Sequence, residues 1–151
     1  MSLVTKAFHS NASAAVILIR AMVGLVFLSE GIQKFLYPEI RGAGRFLKIG
    51  LPSPEFLSYF VASFEIVCGI LIVLGLFTRL AVLPTITIML VAIFSTKIPM
   101  LPEDGFWSMA HAARTDFSML LGSIYLLIVG AGPLSIDAVL FWKKSRQQAK
   151  T

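Results

Sequence analysis

The chain has 151 residues, of which 57% are hydrophobic and 14% are charged, whereas soluble domains contain about 45–50% apolar and about 25% charged residues. A soluble monomer of this size cannot cover so much apolar surface, so the composition excludes an ordinary soluble domain and indicates a membrane protein. The net charge of +5 comes from basic residues scattered between apolar blocks, without the basic stripe that is typical of nucleic-acid binding. We therefore expect a lipid bilayer, and no nucleic acid, as a partner.

Four apolar segments are long enough to span a bilayer, which takes about 20 residues each. They cover residues 12–37, 55–77, 79–98 and 114–130. The sequence therefore predicts an all-α fold, a transmembrane four-helix bundle with short loops, in one domain over residues 1–151. Prolines and glycines are frequent in residues 38–54, which predicts a loop with one short amphipathic turn around Arg45 and Phe46.

The remaining connections are short. Thr78 and Arg79 alone join the second and third segments, so we expect a tight antiparallel hairpin there. Residues 99–113 contain two prolines and a glycine and are predicted to form an interfacial loop. Pro133 is expected to end the helix of the fourth segment. Ser135 is expected to be the N-cap of a short C-terminal helix at the membrane interface.

Basic residues outside the spans predict the orientation in the membrane. A cluster of four closes the chain: Lys143, Lys144, Arg146 and Lys150. By the positive-inside rule, this cluster and the turn at Arg79 place both termini on the cytoplasmic side of the membrane. Arg41, Arg45 and Lys48 then lie outside, so the counts on the two sides are nearly equal and the tail decides the orientation.

Two ionisable residues lie deep in the predicted spans. Such a residue costs about 2.5–3.5 kcal/mol at the centre of a span on insertion scales, so each needs an explanation. At 1.5 Å per residue, Arg20 lies about 12 Å and Glu65 about 18 Å from the same membrane edge. Both lie on stripes of small residues, where membrane helices pack closely. We therefore expect Arg20 and Glu65 to form a buried pair, which either fixes the helix register or belongs to a functional site.

A second charged group is expected near the opposite membrane surface. Its members are Glu30, Lys34, Lys97, His111, Arg114 and Asp116. Lys34, Lys97 and Arg114 would offer positive charge to a small anionic or redox substrate in a partly desolvated mouth. In the alternative interpretation, these side chains extend separately to the membrane interface and form no common site.

Several kinds of site are excluded by residue counts. Cys68 is the single cysteine, which excludes an internal disulfide, a CxxC redox pair and a metal site built from several thiolates. His9 and His111 are expected on opposite sides of the membrane, so no bis-histidine haem is predicted. The sequence contains no metal-ligand spacing, phosphate-binding loop or Ser-His-Asp set. It predicts no metal site and assigns no cofactor by motif.

Three motifs, in this order, resemble those of the DoxX family. The first is RxxxGxxFxxxGxxKF over residues 20–35. The second combines ExxxG at residues 65–69 with LGLFTR at residues 74–79. The third, GPLSID at residues 132–137, is similar to the closing GPGxxSxD signature of the family but lacks its second glycine. Together the motifs extend the similarity over about residues 15–138.

The resemblance implies a four-helix inner-membrane protein whose relatives are linked to thiosulfate:quinone oxidoreduction and to membrane-associated redox complexes. It therefore implies a quinone-linked oxidoreductase of the bacterial inner membrane, or the membrane subunit of a redox complex with a soluble redox partner. No cofactor-binding motif is carried over from the family, so the cofactor is left unassigned, with quinone as the candidate. Arg20, Lys34 and Glu65 are motif positions without assigned catalytic roles. The alternatives are a non-catalytic membrane scaffold and a small-solute transporter, which would require a homo-oligomer because four helices do not enclose a pathway.

Overall fold

The structure is a computed structural model that describes residues 13–140. We label its helices α1 (Val16–Leu36), α2 (Pro38–Arg41), α3 (Ala43–Lys48), α4 (Pro54–Leu74), α5 (Thr78–Ala92) and α6 (Met100–Val129), with a π-helical turn, Ile93–Lys97, after α5. Four segments are long and apolar enough to cross a membrane: α1, α4, α5 with its π-helical turn, and α6. The predicted all-α membrane bundle is confirmed.

Helices α1 and α4 pack against each other along most of their length, and glycines make their closest contact. A Cβ atom on Gly24 would lie 2.8 Å from the carbonyl oxygen of Gly69, and a Cβ atom on Gly69 would lie 2.8 Å from that of Gly24. Any side chain there would force the two backbones apart, as at other small-residue crossings in membranes. A Cβ atom on Gly31 would likewise lie 2.7 Å from the carbonyl oxygen of Ala62. These contacts fix the register of the antiparallel helices α1 and α4.

Helices α5 and α6 form the second closely packed pair. Phe27, Ile72, Val82 and Leu126, one from each long helix, are almost completely buried in the core between the two pairs. The outer surface is also apolar: Leu18, Phe56 and Ile128 are 69%, 71% and 71% exposed. A surface of this kind is stable in the hydrocarbon of a bilayer rather than in water.

The tight hairpin between α4 and α5 is confirmed, but its turn lies earlier than predicted. Helix α4 ends at Leu74, and Gly75 and Phe77 both take left-handed backbone angles, with φ of 67° and 49°. Thr78 and Arg79 belong to the first turn of α5. The left-handed conformation of Gly75 is a common way to end a helix, and it reverses the chain before the predicted turn is reached.

The predicted loop over residues 99–113 is wrong, because this segment belongs to α6. Pro99 is the N-cap of α6 and Pro102 lies in its first turn, where the backbone N–H that proline lacks would have no partner within the helix. Gly105 interrupts the helix with a φ of 79° and a ψ of 169°. The prolines and the glycine therefore mark the start and the break of a helix rather than a loop.

The connection over residues 38–54 contains two short helices, α2 and α3. The amphipathic turn predicted around Arg45 and Phe46 is α3, which packs on α4 and buries Phe46. These helices lie at the end of the bundle where α1 ends and α4 begins, so they can close one end of the space between the long helices.

Residues after α6 connect the end of the described chain to the α4–α5 turn. Ser135 Oγ accepts a hydrogen bond from the backbone N–H of Ala138 at 3.1 Å, which confirms the predicted N-cap of a helix over residues 136–140. Asp137 accepts hydrogen bonds from the N–H groups of Phe77 at 2.9 Å and Thr78 at 3.3 Å, and so caps α5 as well. His9 and the predicted basic tail from residue 143 onward lie outside the described residues.

Candidate functional site

Arg20 is buried at the end of the bundle where α1 begins, with 2% of its surface exposed. Its guanidinium donates hydrogen bonds to the backbone carbonyl oxygens of Ile72 at 3.0 Å, Ala131 at 2.9 Å, Val73 and Leu134. Two of these carbonyls belong to the last turn of α4, where helical carbonyl oxygens lack their usual partners; that of Ile72 also accepts a hydrogen bond from the N–H of Gly75 at 3.1 Å. The other two follow α6, so Arg20 joins α1, α4 and the C-terminal segment.

The predicted pair between Arg20 and Glu65 is wrong. Gly24 lies opposite Gly69, so Arg20, four residues earlier, lies opposite Val73, whose carbonyl oxygen it binds. Val73 is eight residues beyond Glu65, or about 12 Å along the helix. Side chains also lean toward the N-terminus of their own helix, which directs Arg20 away from Glu65. The predicted depths failed because they were counted from estimated segment ends rather than from the observed register.

Glu65 instead pairs with Lys34, whose Nζ atom lies 2.7 Å from Glu65 Oε2. The lean toward each N-terminus brings these two side chains together, since their helices are antiparallel. The side chains are 10% and 2% exposed, so the ion pair is inside the bundle. Lys34 Nζ also lies 3.8 Å from Glu30 Oε2, whose side chain is 38% exposed. One base and two acids thus extend from the interior to the surface.

The ion pair lines a cavity of about 640 Å³ between the α1–α4 pair and the α5–α6 pair. Apolar side chains form much of the wall, including Phe27, Phe46, Phe60, Val61, Phe64 and Met119. Phe60 and Phe64 remain 50% and 40% exposed where they line the cavity, so this part of the wall is accessible apolar surface. The volume of the cavity is within the range of about 300–1,000 Å³ that is typical of small-molecule sites.

The structure brings together part of the predicted outer group. Glu30, Lys34, Lys97 and Asp116 line the cavity, and Lys97 Nζ lies 3.3 Å from Asp116 Oδ2. The predicted convergence is wrong for Arg114 and His111, which are exposed outside the cavity lining, where the guanidinium of Arg114 donates to the carbonyl oxygen of His111 at 2.8 Å. Residues two apart on a helix face different sides, so Asp116 and Arg114 cannot both point inward from α6.

Irregular helix geometry shapes the wall on the side of α5. Pro84 lies inside α5 and lines the cavity, and proline removes one backbone hydrogen bond from a helix. The π-helical turn Ile93–Lys97 contributes Ser95, Thr96 and Lys97 to the lining. Single π-helical turns occur often at functional sites. This turn is not predictable from the sequence, because the surrounding pattern is that of an ordinary apolar helix.

Two further cavity residues, Arg41 and Arg45, were not proposed as site residues from the sequence, although the turn around Arg45 was recognised. Within residues 13–140, no group of three or more His, Cys, Asp or Glu side chains could hold a metal ion. The cavity offers ammonium, guanidinium, carboxyl and hydroxyl groups beside an apolar volume. Such a cavity can hold an apolar ring in its apolar volume and bind polar atoms at the edge of that ring through the polar groups of its wall.

Comparison with known proteins identifies relatives over most of the chain. The chain is 52% identical over 135 residues to the "Uncharacterized membrane protein Rv3486" of Mycobacterium tuberculosis, a match that covers 85% of this chain and 83% of the relative. It is 32% identical over 126 residues to the "Putative oxidoreductase CatD" of Bacillus subtilis, covering 83% of this chain and 86% of that protein. No solved structure gives a significant match.

The sequence profile of the DoxX family matches residues 15–98. This region contains α1, α4 and α5, and therefore the glycine crossing, Arg20 and the Lys34–Glu65 pair. The match confirms the resemblance found in the motifs. The chain is a membrane protein that belongs to the DoxX family.

Proposed function

We propose that the protein is a quinone-linked oxidoreductase, or the membrane subunit of one, and that its cavity binds the quinone. The observation that carries this proposal is the buried Lys34–Glu65 pair on the wall of a largely apolar cavity between the membrane-spanning helices. A quinone is an apolar ring with two carbonyl oxygens, and it dissolves in the hydrocarbon that surrounds the bundle. The CatD relative is named for oxidoreductase activity, which supports the reaction class without naming a substrate.

The residues around the ion pair supply the proton chemistry. A bound quinone takes up two electrons and two protons and leaves as a quinol. Lys34 is placed to donate a hydrogen bond to a carbonyl oxygen of the ring, and Glu65 is placed to hold a proton beside it. Glu30 lies near Lys34 and is partly exposed, so it can pass protons inward from the membrane surface. The electrons come from a reduced substrate such as thiosulfate, or from a soluble redox partner, as the family resemblance implies.

The proposal includes a location in a bacterial inner membrane with both termini in the cytoplasm. Arg20 near the start of α1 binds Ala131 and Leu134 after α6, so the two ends of the described chain lie at the same end of the bundle. Arg79, in the first turn of α5, lies at this end as well, and the basic tail follows in the sequence. The cavity then lies toward the periplasmic side, where α2 and α3 cover the bundle.

Quinone binding to the purified protein in lipid nanodiscs tests the proposal. Ser95 lines the cavity, so Ser95→Phe should fill part of it and weaken binding of a short-chain quinone by about tenfold or more. Ser63 is exposed on the outer face of α4, and the same substitution there, Ser63→Phe, should leave binding unchanged. Thermal unfolding of both variants checks that the fold is retained. Absence of quinone binding by the unmodified protein, or equal binding by Ser95→Phe, would contradict the proposal.

A further inference from the structure

Two arginines at the cavity, Arg41 and Arg45, form no ion pair with any of the residues that the structure describes. Seven charged side chains line the cavity: Glu30, Lys34, Arg41, Arg45, Glu65, Lys97 and Asp116. Lys34 lies between Glu30 and Glu65, and Lys97 pairs with Asp116. In contrast, Arg41 and Arg45 form no ion pair or side-chain hydrogen bond with any residue of the described segment 13–140. Four basic and three acidic groups leave the lining with a net positive charge.

The partly buried position of Arg45 indicates that its charge is available to bind an anion. Arg45 is partly buried and interacts electrostatically with Glu65, although the two are not in contact as an ion pair. Arg41 is more exposed and lines the same cavity from α2. A guanidinium that is partly removed from water loses hydration without gaining a partner. A ligand that brings an anionic oxygen to this place would restore what Arg45 has lost, and the exposed Arg41 can bind the same oxygen, because guanidinium groups bind oxyanions through paired hydrogen bonds.

We propose, on the basis of the proposed quinone site, that the ligand is a quinone carrying an ionised oxygen substituent, such as a hydroxyquinone anion. The ring lies in the apolar part of the cavity beside Phe60 and Phe64, and the oxyanion binds Arg41 and Arg45. A neutral quinone fills the same apolar space but leaves both guanidinium groups unpaired. The cavity therefore selects its ligand by the charge on the ring. An anionic phospholipid also joins an oxyanion to an apolar body, so the experiment must separate these two sources.

A matched pair of probes tests this selection. Naphthoquinone is neutral, and its hydroxy derivative lawsone is an anion at neutral pH. Both are titrated into the protein in nanodiscs of zwitterionic phosphatidylcholine. We expect the unmodified protein to bind lawsone about tenfold more tightly than naphthoquinone, as charge-assisted hydrogen bonds predict. The double variant Arg41→Gln with Arg45→Gln should lose this preference and keep its affinity for naphthoquinone.

The control removes the same amount of charge away from the cavity. Lys48 and Arg114 are both exposed and do not line it, so the double variant Lys48→Gln with Arg114→Gln should keep the preference for lawsone. Its loss in this control would show a general surface-charge effect and overturn the assignment to Arg41 and Arg45. Persistence of the preference in the Arg41 and Arg45 variant would overturn it as well.

The remaining outcomes separate this inference from the proposed function. Equal binding of both probes by the unmodified protein would overturn the selection of an anion and leave the quinone site intact. Binding of neither probe would overturn both proposals. If phosphatidylglycerol in the nanodiscs suppresses lawsone binding in proportion to its amount, the arginines bind a lipid headgroup, and the assignment of a quinone anion is wrong. Lawsone binding that does not respond to phosphatidylglycerol supports the proposal.

Discussion

The Nζ atom of Lys34 and the Oε2 atom of Glu65 lie 2.7 Å apart and connect α1 to α4 inside the bundle. The energy needed to desolvate two buried charges offsets much of their attraction, so such pairs are often no more stable than well-packed apolar residues. A contribution to stability therefore does not explain why this ion pair is present. Its position on the wall of a cavity offers an explanation, because a ligand surrounded by hydrocarbon could form its polar contacts with these two side chains.

We expect Lys34 and Glu65 to be strongly coupled in unfolding experiments. Lys34→Met or Glu65→Leu alone leaves an unpaired buried charge and should destabilise the protein by about 3–5 kcal/mol. The double variant removes both charges and should recover most of this loss. A double-mutant cycle of unfolding in detergent measures the coupling. Additive losses would show that the two side chains do not interact in the protein.

We expect Arg20 and Glu65 to be independent. Their positions are about 12 Å apart along the helices, and they share no hydrogen-bond partner. The effects of Arg20→Met and Glu65→Leu on the free energy of unfolding should therefore add to within about 0.3–0.5 kcal/mol. The same cycle as for Lys34 and Glu65 measures this. A coupling well above that range would mean that the register set by Gly24 and Gly69 is wrong.

Arg20→Lys should destabilise the protein although the charge is conserved. An ammonium group has three donors and no planar fork, so it cannot reach all four carbonyl oxygens that Arg20 binds. Each lost hydrogen bond to a charged group contributes about 1.5–3 kcal/mol. The substitution should also make residues 131–134 more sensitive to proteolysis. Arg114→Lys, at an exposed position, should change stability by no more than about 0.5 kcal/mol. Equal effects of the two substitutions would show that the four hydrogen bonds of Arg20 do not stabilise the protein.

The glycine crossing predicts a size-dependent effect at Gly69. Gly69→Ala places a Cβ atom 2.8 Å from the carbonyl oxygen of Gly24, and the resulting strain should destabilise the protein by about 1–3 kcal/mol. Gly69→Val should be worse. Val67→Leu adds volume on the exposed face of the same helix and should have little effect. Thermal unfolding of the three variants measures this order, and a tolerated Gly69→Val would show that α1 and α4 are farther apart.

The sequence was sufficient for the bundle because hydropathy and length determine which segments cross a membrane. It was insufficient for the pairing of Arg20 and Glu65, because partners across two helices depend on their register. A signal for the register was nevertheless present. Placing Gly24 opposite Gly69 also places Gly31 opposite Ala62, and the lean of helical side chains then favours Lys34 as the partner of Glu65.

Other features of the site depend on tertiary structure that no local pattern specifies. Arg114 and Asp116 were grouped because both were predicted to lie near the outer membrane surface, but residues two apart on the helix that contains them face different sides. Arg41 was assigned to a loop, and only the packing of α2 and α3 over the bundle brings it to the cavity. Proline and glycine in residues 99–113 predicted a loop, because both are typical of loops. The prediction failed because proline is also typical of the first turn of a helix.

Photochemical labelling with an azido-substituted quinone tests the central claim, that the cavity binds quinone, most directly. The protein in nanodiscs is irradiated with the probe, and the labelled residues are identified by mass spectrometry. We expect labels on cavity-lining residues such as Met119 and Thr96, which an excess of unlabelled quinone prevents. Labels confined to outward-facing residues such as Leu25 and Val67, insensitive to that competitor, would contradict it.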